Sequence, residues 1–410
     1  MIVELQKKKV KAKLTSTTID TSVPPKIITG LRLRFIQFRI RFTFLKVIAS
    51  CYRNPIEWVR CISYLIQLRR RFLGNNKVHK MVYINGKYHI GLYTPGWNSK
   101  IYEQYIASQL NDYKLITRLK TKRFNTVFMA ITKKCALQCE HCFEWENLNK
   151  KDVLETNEWQ AIVKTIQEKG VSQIHLSGGE PLIKMDTLLD LIKNADKSSE
   201  FWVVTSGFKL NDRNAKRLKE AGLTGAVISL DHFIPELHNK FRHFDDAYYW
   251  VEEAVKNANN NHIITALSIC TTKAFISEEN LMSYMKLAKK LKVSFVQFLE
   301  PKAVGHYANK DVFLNQEHID ILESFFRKMN FTKEYNTYPI IIYHGYYQRR
   351  QGCFSGGKKG MYIDTDGDMN PCPFCHKKAG NVLDSNFDQN LELLRTEGCP
   401  SYNNIGFDNV

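Results

Sequence analysis

The sequence predicts an α/β fold built on a partial (β/α)6 barrel, with a small α+β N-terminal region and a cysteine-rich C-terminal domain. Three observations carry this. Six short apolar or β-branched runs alternate with helical stretches between residues 124 and 299, the first 80 residues hold most of the excess positive charge, and seven of the ten cysteines fall into two groups, at 135–142 and 353–399. β/α units in series give a parallel sheet buried on both faces, and six of them curve it toward a TIM-like barrel whose chemistry gathers at the C-terminal strand ends.

A chain of 410 residues has room for about two or three domains. Hydrophobic residues make up 44% and charged residues 24%, which excludes wholesale disorder, collagen-like repeats and a polytopic membrane protein. Residues 1–80 carry 18 Lys or Arg against Glu4, Asp20 and Glu57, whereas residues 81–410 carry a net charge of only +3. A protein that reads nucleic acid with its main domain places its positive stripe there, so no specific nucleic-acid binding is expected. An anionic surface touched by the N-terminal region fits better. The cysteines are too sparse for a disulfide scaffold and no secretory signal is evident, so a reducing, cytoplasmic compartment is expected.

Residues 1–30, with Lys7-Lys8-Lys9 and Pro24-Pro25, read as a loosely packed arm. Leu31 to Ser50 is ambiguous: Leu31, Leu33 and Phe35 alternate with Arg32 and Arg34 as in a strand, while Arg32, Arg39 and Lys46 recur every seven residues as on a helix. Residues 55–73 read as a helix, with Asn54 as N-cap, Pro55 at the first position and Arg69-Arg70-Arg71 at the C-terminal end. Its Trp58, Ile62, Leu65 and Phe72 suit either an anionic membrane surface or the protein's own body. Residues 1–75 are therefore a candidate for peripheral membrane contact. Val78 to Tyr93 reads as a hairpin turning at Asn85-Gly86, with a helix after it around Ile101, Tyr105 and Ile106.

Strands follow near 124–131, 172–177, 201–205, 225–230, 263–269 and 293–299, with helices such as 157–169 and 278–291 between them, the latter capped by Ser277. Met361 to Asn370 reads as a second hairpin, turning near Asp366-Gly367 in a segment small enough to need a cross-link. The chain thus divides into a basic arm and helix (1–75), a hairpin-plus-helix unit (76–120), a barrel (121–335) and the cysteine-rich tail (336–410).

Directly after the first barrel strand come Cys135, Cys139 and Cys142. Three thiolates within eight residues select an iron-sulfur cluster or zinc. Structural zinc takes four ligands, so three cysteines leave one coordination position open. Packing thiols on one helical face are the alternative, disfavoured by the strand-end location and by Lys133, Lys134 and Glu140 alongside.

This spacing resembles the radical SAM superfamily, whose three cysteines lie in the loop after the first strand of a partial barrel. The resemblance implies that Cys135, Cys139 and Cys142 hold a 4Fe-4S cluster whose fourth iron is chelated by S-adenosylmethionine, with His141 where the family usually has an aromatic residue. Leu176-Ser177-Gly178-Gly179-Glu180-Pro181 ends the second strand and is similar to the family's Gly-Gly-Glu-Pro run, which meets the methionine amino group. By the same resemblance Ser206, Ser229, Asp231 and Arg242 line the S-adenosylmethionine site, with Ser229 and Asp231 facing the ribose and Arg242 the carboxylate. Gln297 and Leu299-Glu300-Pro301 border the adenine or the substrate.

Cys353, Cys372, Cys375 and Cys399 form the second group. Alone it is a zinc pattern. Downstream of such a barrel it resembles the shortened SPASM, or twitch, domain, which implies a second 4Fe-4S cluster with four protein ligands. Cys270 is expected to be a packing thiol, and His232, His238 and His243 lack metal-ligand spacing.

The resemblance implies reductive cleavage of S-adenosylmethionine to a 5′-deoxyadenosyl radical that abstracts a hydrogen atom, fed by an external reductant such as flavodoxin or ferredoxin. No catalytic side chain is assigned. The expected substrate is a peptide or protein, the alternatives a small molecule or membrane lipid, or a non-catalytic iron-sulfur electron carrier.

Overall fold

The computed structural model describes residues 26–116 and 124–399, so the basic arm before Lys26 and the boundary at 120 lie outside the described residues. The N-terminal region comprises strand β1 (Lys26–Ile28), helices α1 (Gly30–Cys51) and α2 (Pro55–Leu73), strands β2 (Met81–Ile84) and β3 (Lys87–His89), and helix α3 (Lys100–Tyr113). β2 and β3 pair antiparallel with Ile84 opposite Lys87. The two-residue turn puts Asn85 and Gly86 at φ of 51° and 78°, the left-handed pair a type I′ hairpin requires. At the start of α2, the Asn54 side chain accepts from the Ile56 amide, with Pro55 in the first position.

The ambiguity at 31–50 resolves as a helix with two apolar faces. Leu33, Ile36, Ile40, Val47 and Ile48 of α1 are buried, whereas Leu31, Phe35, Phe38, Phe42 and Leu45 are exposed. That double stripe is what mimics strand alternation in the sequence. In α2, Trp58, Ile62 and Leu65 turn inward onto the core formed with α1 and α3, and Phe72 stacks on Phe354 and meets Tyr347 at a tilt. The side chains expected to suit a membrane thus lie on the protein's own body.

The barrel contains the six expected strands, β4 (Thr126–Ala130), β5 (Gln173–Ser177), β6 (Glu200–Thr205), β7 (Leu223–Ser229), β8 (Ile264–Cys270) and β9 (Phe295–Leu299), all parallel and paired in chain order. Helices over Thr156–Glu168 and Glu278–Lys290 match the expected spans. The tail adds three strands, two of them from the hairpin expected at Met361 to Asn370. β10 (Ile340–Tyr343) extends the sheet beyond β9, and β11 (Gly360–Ile363) pairs parallel with β4 while its antiparallel partner β12 (Met369–Asn370) forms the expected second hairpin. Residues 340–343 therefore belong to the barrel sheet rather than to a separate tail.

The N-terminal hairpin closes the barrel floor. Val82, Ile84 and Leu92 pack with Trp202, Val227, Ile264, Phe295 and Ile340 in one buried cluster. Lys80 Nζ donates to the carbonyls of Met329, Tyr335, Tyr338 and Pro339 at 2.9–3.2 Å. Among the described residues no helix is long and apolar enough to cross a membrane.

Candidate active site

The loop after β4 is built by its neighbours rather than by internal regularity. The Asp152 carboxylate accepts from Thr132 Oγ1 (2.8 Å) and the Lys133 amide (2.7 Å) and pairs with Lys184 at 3.0 Å. Asn149 Oδ1 accepts from the Cys135 amide at 3.0 Å. The two motifs singled out from the sequence meet here: the Gly179 amide donates to Thr132 O and the Glu180 amide to Lys134 O, both at 2.7 Å. A Cβ on Gly178 would lie 2.5 Å from Thr132 O, and one on Gly179 2.4 Å from Lys134 O. Only glycine allows the strand end to approach the cysteine loop this closely.

Cys135 and Cys142 are half-buried, Cys139 is buried, and among the described residues no cysteine forms a disulfide. Burial raises the pKa of all three loop thiols, Cys142 up to about 12. Arg242 partly offsets this for Cys139, because Nη1 donates to Cys139 Sγ at 3.4 Å. The same guanidinium holds Asp231 through Nε at 2.6 Å and Nη2 at 2.5 Å. Asp231 also accepts from the Cys270 amide at 3.0 Å. Burial pushes the Asp231 carboxyl up, but Arg242, His141, His238 and the Cys270 N–H outweigh it and hold it below the usual range. Asp231 and Arg242 are thus brought together as a buried pair.

Glu180 is also satisfied within the chain. Its carboxylate accepts from the Leu182 amide (3.1 Å), Thr205 Oγ1 (2.8 Å), the Ser206 amide (2.8 Å) and Ser206 Oγ (2.5 Å). These four donors fill the roughly four acceptor positions of a carboxylate, although burial still keeps its pKa raised. Glu180 and Ser206 are therefore joined, bracing the end of β6 against that of β5. Ser229 stands apart from this group, half-buried at the end of β7 and in register with Ser268. His232 and His238 each use Nδ1 to accept a backbone N–H, from Ile234 and Asp231 respectively.

Sequence reasoning missed the cover over the loop. The Cys142 carbonyl accepts from the His306 amide at 2.9 Å, His306 Nδ1 lies 3.0 Å from Cys139 O, and the His306 ring stacks on Trp145 at 3.8 Å. A Cβ on Gly305 would sit 2.2 Å from Cys142 O. Asp152 and Asn149 were missed as well. No local pattern marks these residues, since their partners are remote in the chain.

Beyond Cys142 the loop docks on the tail: Phe143 meets Phe374 (5.8 Å) and Tyr362 (6.0 Å), Glu144 accepts from the Tyr362 hydroxyl, and Lys133 pairs with Asp366 at 2.5 Å. Phe374 lies between Cys372 and Cys375 in the chain. The Cys353 and Cys399 thiols are hydrogen-bonded to each other, and burial pushes Cys372 up to about 11. All four tail cysteines line one cavity of about 2820 Å³ that also reaches Ser177, Val204, Ser268, Gln297 and Glu300 at the barrel mouth. Among the described residues no three His, Cys, Asp or Glu side chains are gathered closely enough for a single metal ion. The case for each cysteine group as a ligand set rests on donor type and neighbourhood.

Residues 129–290 match the profile of the radical SAM superfamily. The chain is 25% identical over 266 residues to a GTP 3′,8-cyclase of Alkaliphilus oremlandii, covering 62% of this chain and 82% of that one. It is 29% identical over 198 residues to a probable GTP 3′,8-cyclase of Methanocaldococcus jannaschii, covering 46% of this chain and 64% of the relative. In fold it is similar to SuiB of Streptococcus suis bound to precursor peptide SuiA (TM-score 0.54, 14% identity, 81% of this chain and 77% of that one). It is also similar to anSMEcpe with bound AdoMet (TM-score 0.50, 18% identity, 65% and 80%). Residues 129–290 are thus a radical SAM domain, and the chain is an enzyme that carries it.

Proposed function

We propose that Cys135, Cys139 and Cys142 hold a 4Fe-4S cluster, that S-adenosylmethionine binds its open iron beside Gly178 and Gly179, and that the substrate is a peptide or protein. When bound, these cofactors supply reductive cleavage to a 5′-deoxyadenosyl radical able to take a hydrogen atom from carbon. The observation that carries the assignment is the pair of 2.7 Å hydrogen bonds joining Gly179 and Glu180 to the cysteine loop, which makes two sequence motifs one site. The chain's own groups shape that site: Arg242 sets a positive charge against the Cys139 sulfur, Glu180 braces the end of β6, and Trp145 with His306 covers the loop. Ser229 remains the candidate ribose contact.

Cys353, Cys372, Cys375 and Cys399 are assigned to a second 4Fe-4S cluster in preference to zinc, in line with the SPASM/twitch-like tail. Electrons would come from an external carrier of the flavodoxin or ferredoxin kind. The SuiB neighbour, which holds a precursor peptide, favours the peptide reading. The GTP 3′,8-cyclase relatives favour a second reading, a nucleotide substrate.

Anaerobic reconstitution followed by dithionite and S-adenosylmethionine tests the chemistry. 5′-Deoxyadenosine should form and disappear in Cys139→Ala. An iron-loaded protein that makes none would overturn the assignment, and consumption of added GTP would replace the peptide substrate with the nucleotide.

A further inference from the structure

Helix α1 carries an apolar face that is left exposed among the described residues. Leu31, Phe35, Phe38, Phe42 and Leu45 are 81, 61, 54, 56 and 44% exposed. Their spacing of four and three residues keeps them on one line along the helix, opposite the buried side formed by Leu33, Ile36, Ile40 and Val47. Basic residues flank the line on both sides, Arg32, Arg39 and Lys46 along one and Arg34 and Arg41 along the other, and the helix contains no Asp or Glu. The first set leans on the body, Arg32 over Tyr83, Arg39 over Trp97 and Lys46 paired with Glu103. Among the described residues Arg34 and Arg41 have no acidic partner.

We propose that this face of α1 seats the protein on an anionic lipid surface, with the phenylalanines at the acyl boundary and the arginines among the phosphates. The charge selects this occupant. A second copy would set basic flank against basic flank with no acid on either helix, and like charges across such a seam repel. A single acidic helix would match α1 alone, yet Arg69, Arg70 and Arg71 border the same cavity as Arg34 and Arg41, as an extended anionic surface requires. Leu31, Arg34, Arg41 and Leu45 also border the cavity that reaches the barrel mouth, so seating brings that opening to the headgroups. The inference stands independently of the radical chemistry.

The test is flotation of the full chain, reconstituted anaerobically, with phosphatidylcholine vesicles with and without phosphatidylglycerol. The wild type should float with the anionic vesicles, and less so as salt rises. The doubly substituted Phe38→Ser/Phe42→Ser, which keeps every basic residue, should partition about a hundredfold more weakly. It should retain wild-type iron content and circular dichroism, which separates lost docking from lost folding. Arg34→Gln/Arg41→Gln should lose binding on the anionic vesicles. Absence of wild-type flotation overturns the proposal, as does undiminished flotation of a folded Phe38→Ser/Phe42→Ser. A wild-type dimer that this variant turns into a monomer, with no vesicle binding by either, would assign the face to a second copy instead.

Discussion

Gly179→Ala asks whether the contact between the two motifs positions the cysteine loop. A Cβ there would lie 2.4 Å from the Lys134 oxygen, 2.7 Å from its carbonyl carbon and 3.1 Å from Cys135 Cβ. Carbon–oxygen contacts begin near about 3.3 Å, so backbone at 134–135 must retreat by about 1 Å. That backbone is tied by the Gly179–Thr132 and Glu180–Lys134 hydrogen bonds at 2.7 Å, and such a retreat breaks at least one. Overpacking costs about 1–3 kcal/mol and a lost buried hydrogen bond about 1 kcal/mol more, all of it focused beside Cys135. Misplacement of reacting groups by about 1 Å can cost on the order of a hundredfold in rate. Iron per chain and 5′-deoxyadenosine formation are the measurements, with Gly91→Ala as the control because its Cβ would meet nothing nearer than 3.7 Å. Expected are depleted iron and a rate lower by about two orders of magnitude in Gly179→Ala alone. A Gly179→Ala enzyme with wild-type iron and rate would refute the view that this contact sets the loop.

Arg242→Met strands the buried Asp231 carboxylate and should cost about 3–5 kcal/mol in anaerobic urea unfolding; a loss below about 1 kcal/mol would mean that the pair is wet. Lys80→Met leaves four carbonyls without their shared donor and should cost about 3 kcal/mol, with faster amide exchange over the β2–β3 hairpin. Burial drives His89 and His344 down to about 4 and His175 to about 3, against about 6.5 when unfolded. Between those limits the unfolded chain takes up protons the fold refuses, so stability is full above about pH 6.5 and falls as pH drops, by up to about 1.4 kcal/mol per unit per histidine. Both ring nitrogens of His175 lack a partner among the described residues, so His175→Phe should flatten that dependence by up to about 1.4 kcal/mol per pH unit at little cost at pH 7, read from urea midpoints across the range.

Strands β4 to β9 were legible because doubly buried parallel strands are short apolar runs, and the Asn85-Gly86 turn and the Asn54 and Ser277 caps were legible because local geometry demands those residues. Helix α1 was not, since its two apolar faces cancel the one-sided pattern that marks an ordinary surface helix. β10 and the pairing of β11 with β4 were overlooked because the cysteines around them suggested a separate tail, although Ile340-Ile341-Ile342 has the composition of its neighbours. Within the site, the sequence pointed to the cysteines and the Gly-Gly pair, which carry spacing. It could not reveal that Asp231 and Arg242 hold each other, that Ser206 serves Glu180, or that His306 reaches back more than 160 residues to Cys139. Those relations depend on which strand ends become neighbours when the sheet curves.

The charges at the barrel mouth explain why the thiols stand out. Asp231 is neutralised by Arg242, Glu180 is filled by four donors, and Glu300 is held by Arg349 and the Tyr343 hydroxyl. Arg349 and Arg350 both reach Glu323. Partners from the chain itself thus hold Asp231, Glu300 and Glu323 below the usual carboxylate range, whereas burial still leaves Glu180 raised. The loop thiols lack comparable compensation: burial raises all three, and Arg242 is shared between Cys139 and Asp231. To be ligands they must ionise, and in this dry setting the balancing positive charge has to arrive with the iron. Were a cluster to bind these thiols, its binding would release their protons. The loop's stability should accordingly rise with its metal content.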